Sequence, residues 1–181
     1  MGWWRCLNKL VHAGKDYRGY YTEDIMLTII KFLHLMSLVV WIGGIIFFSF
    51  IAAPGIFKIL PRETAGDVVG DIFPKYWLMG YICSITALIT IIMLSFLERT
   101  YHWNRIGLLI VMVGITFYSG LVVGASARGI KAQIRTVEDQ SRKEALGAEF
   151  RSRHKISTIL NSTILILGVV VIFFTARSLK L

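Results

Sequence analysis

Charged residues are scarce in this chain, and they are missing altogether from four long stretches. Asp, Glu, Lys and Arg make up 17% of the 181 residues, whereas hydrophobic residues make up 55% and the mean hydropathy is +0.64. Soluble domains average about 25% charged residues. The uncharged stretches are residues 32–57, 78–97, 106–127 and 156–176. Since about 20 helical residues cross a hydrocarbon core and backbone in lipid must bond internally, the sequence predicts an all-α integral membrane four-helix bundle rather than a soluble protein.

Cysteine is also scarce, and the common catalytic and metal-binding motifs are missing. The two cysteines, Cys6 and Cys83, form no CxxC, so we expect no disulfide and no structural zinc, and we interpret Cys83 as a small buried hydrophobe. There is no GxSxG, HExxH or P-loop, and no carboxylate lies within the four uncharged stretches. We therefore predict no catalytic residue, and we favour a protein without enzymatic activity over an enzyme.

Acidic residues are fewer than basic ones, 11 against 20, which gives a net charge of +9. In a membrane protein this excess indicates contact with anionic lipids rather than nucleic acid, and no zinc-finger spacing or base-reading helix accompanies it. Residues 1–23 mix aromatic and basic side chains and lack the apolar core of a signal peptide, which favours a segment lying at the membrane interface. The alternative is a disordered basic tail.

The rest of the chain, residues 24–181, forms one predicted domain with spans at about 24–53, 75–97, 103–127 and 153–177. Between the first two spans, Ala65, Val69, Ile72 and Phe73 recur at helical spacing, which predicts a short amphipathic helix on the membrane surface that ends before Pro74. Four spans place both termini and the 98–105 link on one side, here called side A. The other two connections lie on side B, and segment 128–155 there is polar and helix-compatible.

The orientation in the membrane follows from the basic residues, of which eleven lie on side B and nine on side A. The positive-inside rule therefore places side B in the cytoplasm and the termini of this multi-pass protein on the non-cytoplasmic side, by a margin of two residues.

Small and polar residues mark the helix faces that are expected to pack together. They lie on helices 1, 3 and 4, and are Gly43, Gly44, Thr116, Gly120, Gly124, His154, Ser157, Asn161 and Gly168. Small residues four apart let helices approach closely in lipid, and a polar stripe faces the bundle, where its side chains bond between helices.

His34 is the one titratable side chain within the apolar run LHLMSLVVWIGG, on the same helix face as Lys31 and Trp41. An ionisable residue within a membrane is a candidate functional residue, and histidine is a common haem and metal ligand. The alternative is a neutral ring that hydrogen-bonds to a neighbouring helix.

A haem held by two histidines requires both rings at similar depth. His102 lies near side A, as His34 does, so these two form the preferred pair, whereas His154 belongs to side B. His34 alone, with Lys31 or a methionine nearby, is a further arrangement. Copper held by His34 and Met36 is disfavoured because residues two apart face different sides of a helix.

Two stretches carry a family resemblance. Residues 33–77, from LHLMSLVVWIGG to DIFPKYW, together with RHKISTILN at 153–161, resemble the transmembrane protein 205-like family, a domain of unknown function in small four-helix membrane proteins. The segment from His34 to Gly43 also resembles the first helix of copper-resistance D proteins and of the haem-linked membrane protoporphyrinogen IX oxidase. The latter resemblance implies His34 as a haem ligand, although the oxidase's later lysine region has no match here.

Three functions stay open at this point. The first is a non-enzymatic membrane module, an accessory or scaffolding subunit that packs against other membrane subunits or against itself. The second is a b-type haem protein in membrane electron transfer, with His34 and His102 as ligands. The third is transport of a metal or a small molecule, which the sparse polarity at mid-membrane depth disfavours.

Overall fold

The chain folds into four long rods of helix, as seen in a computed structural model. The structure describes the backbone of residues 3–178 and the side chains of residues 23–177. No strand occurs among these residues. The helices, in chain order, are α1 (Trp3–Phe47), α2 (Ala53–Ile59), α3 (Arg62–Leu97), α4 (Trp103–Tyr118), α5 (Ala125–Thr136) and α6 (Gln140–Ser178).

Two of the rods consist of helices joined by a short π-helical segment. Residues Phe48–Ala52 connect α1 to α2, and residues Ser119–Gly124 connect α4 to α5. Within residues 23–177, four stretches are long and apolar enough to cross a membrane: Glu23–Ile59, Arg62–Leu97, Trp103–Thr136 and Gln140–Arg177. The four-helix bundle is therefore confirmed, and the chain is a multi-pass integral membrane protein.

The core lies between the rods, and each rod exposes its outer face. On α1 the buried side chains follow helical spacing, from His34 through Leu38 and Trp41 to Ile45. α1 packs mainly against α3, α3 against α4, and α4 and α5 against α6. Many large apolar side chains outside this core are exposed, among them Phe50, Ile82 and Ile166. In a membrane this exposed surface faces lipid.

The predicted surface helix between the first two spans is wrong as a separate element. Its residues are helical, but they form the first turns of α3, which begins after Pro61 and continues through Pro74 to Leu97. Proline removes one backbone hydrogen bond, and a membrane helix tolerates this loss where neighbouring helices pack around it. Ala65 and Val69 are buried in the bundle instead of resting on lipid.

Contacts on both flanks hold this first part of α3 in the bundle. The ring of Phe73 packs edge-on against Phe48, with centroids 5.3 Å apart. From α5, Lys131 donates to the carbonyl of Gly66 at 2.6 Å and pairs with Asp67 at 2.7 Å. These contacts explain why the helix does not stop at the proline.

The polar segment before the fourth span is almost entirely helical. α5 ends at Thr136, a three-residue turn follows, and α6 begins at Gln140. The rod Trp103–Thr136 has 34 residues and α6 has 39, so each exceeds the roughly 30 Å hydrocarbon core and its polar part projects from it on side B. The side chains of residues 1–22 lie outside the described residues, although the backbone of α1 runs unbroken through residue 23. The interfacial N-terminal segment stays a prediction, as does the orientation in the membrane.

Candidate functional site: a charged cleft on side A

A cleft of about 680 Å³ opens on side A and receives side chains from all four rods. Most of its polar lining comes from a few residues: Lys31, His34, Glu98, His102, Arg105 and Thr175. Its apolar walls include Leu35, Ile91 and Leu94. Ligand pockets in proteins have volumes of about 300–1,000 Å³ and combine apolar walls with a few converging polar groups. The cleft has both properties.

Glu98 is the central acidic group of the cleft. Its Oε1 lies 2.7 Å from Nζ of Lys31, and its Oε2 lies 3.9 Å from Nε2 of His102. The turn after α3 sets this geometry, since Arg99 has a positive φ of 51° and thereby brings the chain round towards α4. Desolvation by burial lowers the pKa of His102, and the nearby Arg105 acts in the same direction while Glu98 opposes it.

His34 lies deeper, where α1 packs against α3. Its side chain is 2% exposed, and its Nδ1 lies 3.1 Å from the carbonyl oxygen of Ala87 and 3.0 Å from Oγ1 of Thr90. Thr90 precedes the end of α3 by two turns, so this contact lies about 10 Å inside that end. The predicted hydrogen bond between His34 and a neighbouring helix is therefore present.

The partners of His34 decide which ring nitrogen carries the proton. The carbonyl oxygen of Ala87 only accepts, and the hydroxyl of Thr90 already donates to the carbonyl of Thr86 at 2.6 Å. Nδ1 is therefore assigned as the donor, which leaves Nε2 of the neutral ring with a lone pair. Nε2 is buried and has no hydrogen-bond partner among the described residues. An Nδ1–H held by a hydrogen bond and an Nε2 lone pair without a partner are typical of a histidine that binds a metal centre.

Arg105 adds a buried positive charge to the cleft. It belongs to the first turn of α4 and is 6% exposed, next to His102, which precedes that helix. An ionisable side chain buried in a membrane helix is costly, so such a residue is a candidate functional residue. Sequence reasoning missed Arg105 because it lies at the edge of an apolar run, where charged residues are usual.

A second polar group lies in the middle of the bundle. Trp41, which is 2% exposed, and the half-buried Asn161 line one small space together with Tyr76, Gly80 and Thr116. The hydroxyl of Tyr76 donates to Oδ1 of Asn161 at 3.2 Å. No polar face is predicted on the second span, and Tyr76, which lies on α3, was therefore missed.

The predicted small residues differ in what surrounds them. A methyl group added to Gly44 would overlap Met79, and one added to Gly120 would overlap the hydroxyl of Tyr81. At Gly124 an added methyl would lie 3.4 Å from Nε1 of Trp77. Gly43, in contrast, is exposed and a methyl there would meet no atom, so this residue mediates no packing within the described chain.

The remaining predicted residues lie on side B, away from the cleft. His154 is exposed and its ring stacks on that of Phe150, with centroids 6.5 Å apart. Ser157 is half-buried and lines a small pocket beside Trp77. The structure thus brings His34 and His102 to one cleft and places His154 elsewhere. Within residues 23–177, no three His, Cys, Asp or Glu side chains form a metal-binding cluster.

Comparison with known proteins gives one family and one relative. A protein of Aquifex aeolicus (strain VF5), described as an uncharacterized protein, is 46% identical over 50 residues. The matched stretch covers 28% of this chain and 36% of the relative, so the chain spans about a third of the length of the protein it matches. No solved structure matches. The family model, described as a domain of unknown function, covers residues 36–136, which is more than half of the chain and includes His102, Arg105 and the whole of α3. The chain therefore belongs to the DUF4149 family.

Proposed function

We propose that this chain is a b-type haem-binding membrane protein that takes part in electron transfer, with the cleft on side A as the site that would hold the haem and His34 as the side chain that would bind its iron. The observation that carries the proposal is the buried Nε2 of His34, which has a lone pair and no hydrogen-bond partner among the described residues. The first-helix resemblance to a haem-linked oxidase supports the same residue. An axial haem site needs only one or two protein ligands, so a cluster of three is not required.

The residues around Nε2 fit a porphyrin with carboxylate side chains. Lys31, which is paired with Glu98, and Arg105 line the same cleft, and cationic groups of this kind can bind carboxylates. Leu35, Ile91 and Leu94 offer an apolar surface for a macrocycle. When bound, a haem b supplies one-electron redox chemistry at its iron.

Within this proposal each residue has a defined task. The hydrogen bonds of His34 to Ala87 and Thr90 fix the plane of the ring and increase the basicity of Nε2. His102 is the candidate second ligand, because it lines the same cleft as His34. Glu98 holds Lys31 at 2.7 Å and thereby positions one of the two cationic side chains.

The test is the visible spectrum of detergent-purified protein from haem-replete cells, first oxidised and then reduced with dithionite. We expect a Soret band and sharp reduced α and β bands. His34→Ala should abolish them, whereas His154→Ala, a histidine on side B, should leave them unchanged. In His102→Ala we expect retained haem with a high-spin spectrum if His102 is the second ligand. A colourless, monodisperse wild-type protein would refute the proposal.

A second candidate is the accessory or scaffolding module, and the exposed face of α4 favours it. Gly107 and Gly114 are seven residues apart on this face, both are exposed, and a methyl group at either would meet no atom. Small residues on one exposed face leave room for another membrane helix to approach. We expect Gly107→Leu with Gly114→Leu to abolish cross-linking to a partner helix, whereas Gly43→Leu, an equally open glycine on α1, should not. Cross-linking that is unaffected by the double substitution would contradict this candidate.

A further inference from the structure

We propose that a groove on side B, between the start of α3 and the middle of α6, binds the phosphate headgroup of an anionic phospholipid. This groove, here called the basic groove, has a volume of about 520 Å³ and lies at the opposite end of the bundle from the cleft of His34. Its principal lining residues are Arg62, Phe150, Arg151, His154, Lys155 and Ile159. The proposal does not depend on haem binding.

The charge of the basic groove is the first argument. Arg62, Arg151 and Lys155 line it, and no aspartate or glutamate does. None of these three side chains has an ion pair or a hydrogen bond with another side chain in the part of the chain that the structure describes. Arg153, in contrast, is close to these residues in the chain and pairs with Glu149. Three converging cations without a counter-charge favour an anion with several oxygen acceptors, as a phosphate has.

The depth of the basic groove is the second argument, and it favours a lipid over a soluble anion. Lys155 is the last charged residue before the uncharged run 156–176, which at 1.5 Å per residue is about 30 Å long and matches a hydrocarbon core. Lys155 therefore lies at the boundary where headgroup phosphates lie. Basic pockets between membrane helices at this level bind anionic headgroups.

The walls of the groove provide the third argument. Phe150 and Ile159 contribute apolar surface, and the side chain of Ile159 is 55% exposed on the membrane-facing side of the last cation. Ile156 and Ile166 continue this exposed apolar surface along α6. A phospholipid presents a charged phosphate directly above acyl chains, so one molecule can satisfy the cations and cover the isoleucines together.

Gly147 helps to keep the groove open. It lines the groove, and a methyl group added there would lie 3.5 Å from a terminal guanidinium nitrogen of Arg151. A larger side chain would occupy the space around the cation without changing any charge. Gly147→Leu is thus a steric test of the groove, and it replaces glycine with a better helix former.

The experiment is native mass spectrometry of the full-length protein in detergent, titrated with phosphatidylglycerol, phosphatidylcholine or inorganic phosphate. We expect wild type to bind phosphatidylglycerol in preference to phosphatidylcholine. Each removed charge should weaken that affinity about fivefold, which corresponds to about 1 kcal/mol, so Arg151→Gln with Lys155→Gln should lose most of the binding. Gly147→Leu should also weaken binding with every charge retained.

The matched control is Arg142→Gln with Lys143→Gln, which removes two charges from the same helix outside the groove. Equal loss of phosphatidylglycerol in the control and in the groove variant would overturn the proposal, since it would indicate diffuse electrostatic attraction. Equal binding of phosphatidylcholine and phosphatidylglycerol by wild type would overturn it as well. Displacement of the lipid by millimolar inorganic phosphate would assign the groove to a soluble anion instead.

Discussion

The hydroxyl of Tyr76 donates a hydrogen bond to Oδ1 of Asn161 at 3.2 Å, and this bond joins α3 to α6 within the bundle. Tyr76 is buried and Asn161 is half-buried, so neither group is readily solvated when the partner is removed. In a membrane, where apolar surface gives helices little reason to associate, such a bond contributes to specific pairing.

We expect Tyr76→Phe to lower the free energy of unfolding by about 0.5–2 kcal/mol, because Asn161 then loses its donor in a poorly solvated site. Tyr118→Phe is the control, since Tyr118 is 52% exposed and makes no hydrogen bond with another described residue. Unfolding by SDS in mixed micelles, followed by tryptophan fluorescence, measures both variants. Equal stability of the two would mean that the bond contributes nothing.

Gly120 is the glycine at which added volume should be most harmful. A methyl group there would overlap the hydroxyl of Tyr81 and lie 3.0 Å from Cδ2 of Trp77. We expect Gly120→Ala to destabilise the bundle by about 1–3 kcal/mol, since overpacking forces neighbouring side chains to move. Gly114→Ala, on α4 of the same rod, meets open space and should be neutral or stabilising by up to about 1 kcal/mol. Thermal unfolding measures the stability of both variants. A Gly120→Ala variant as stable as Gly114→Ala, or more stable, would contradict this packing.

The hydroxyl of Thr90 receives the Nδ1–H of His34, and its removal should destabilise the contact between α1 and α3. We expect Thr90→Val to cost about 0.6–1.5 kcal/mol of unfolding free energy, because one acceptor of a buried donor is lost while Ala87 still accepts. Thr163→Val is the control, since that hydroxyl bonds only to its own helix at Ile159. SDS unfolding of both variants provides the comparison. A larger loss in the control would refute the assigned interhelical bond.

The four-helix architecture could be predicted from the sequence because it follows from a strong physical constraint. A run without charge, such as 156–176, has few alternatives to a membrane helix. The same constraint predicts that His34 lies deeper in the membrane than Lys31, near side A. Both residues line the cleft that includes Thr100 and His102 of the side A link. Patterns of charge along one helix were sufficient for these conclusions.

The continuity of α3 could not be predicted, because it depends on contacts between residues far apart in the chain. Pro74 is a local signal to end a helix, whereas the packing of Phe73 on Phe48 and the reach of Lys131 to Gly66 come from other helices. The burial of Arg105 could not be predicted either, because no local sequence pattern shows that an arginine at the edge of a span is buried. Contacts between side chains of different helices depend on the tertiary structure, and local patterns in one sequence do not predict them.

Arg99 holds the turn that brings Glu98 and His102 to the mouth of the cleft, and it does so with a positive φ of 51°. A residue with a Cβ pays a steric cost in this left-handed conformation, which glycine avoids. Replacement by glycine also increases the entropy of the unfolded chain, which offsets part of that gain. We therefore expect Arg99→Gly to be as stable as wild type or up to about 1 kcal/mol more stable, and Arg99→Val, with a branched Cβ, to be less stable by about 1 kcal/mol or more. Both variants remove the same charge, so SDS unfolding of the pair isolates the effect of backbone conformation. If valine proved as stable as glycine, the left-handed conformation at Arg99 would not be the one that the folded protein adopts.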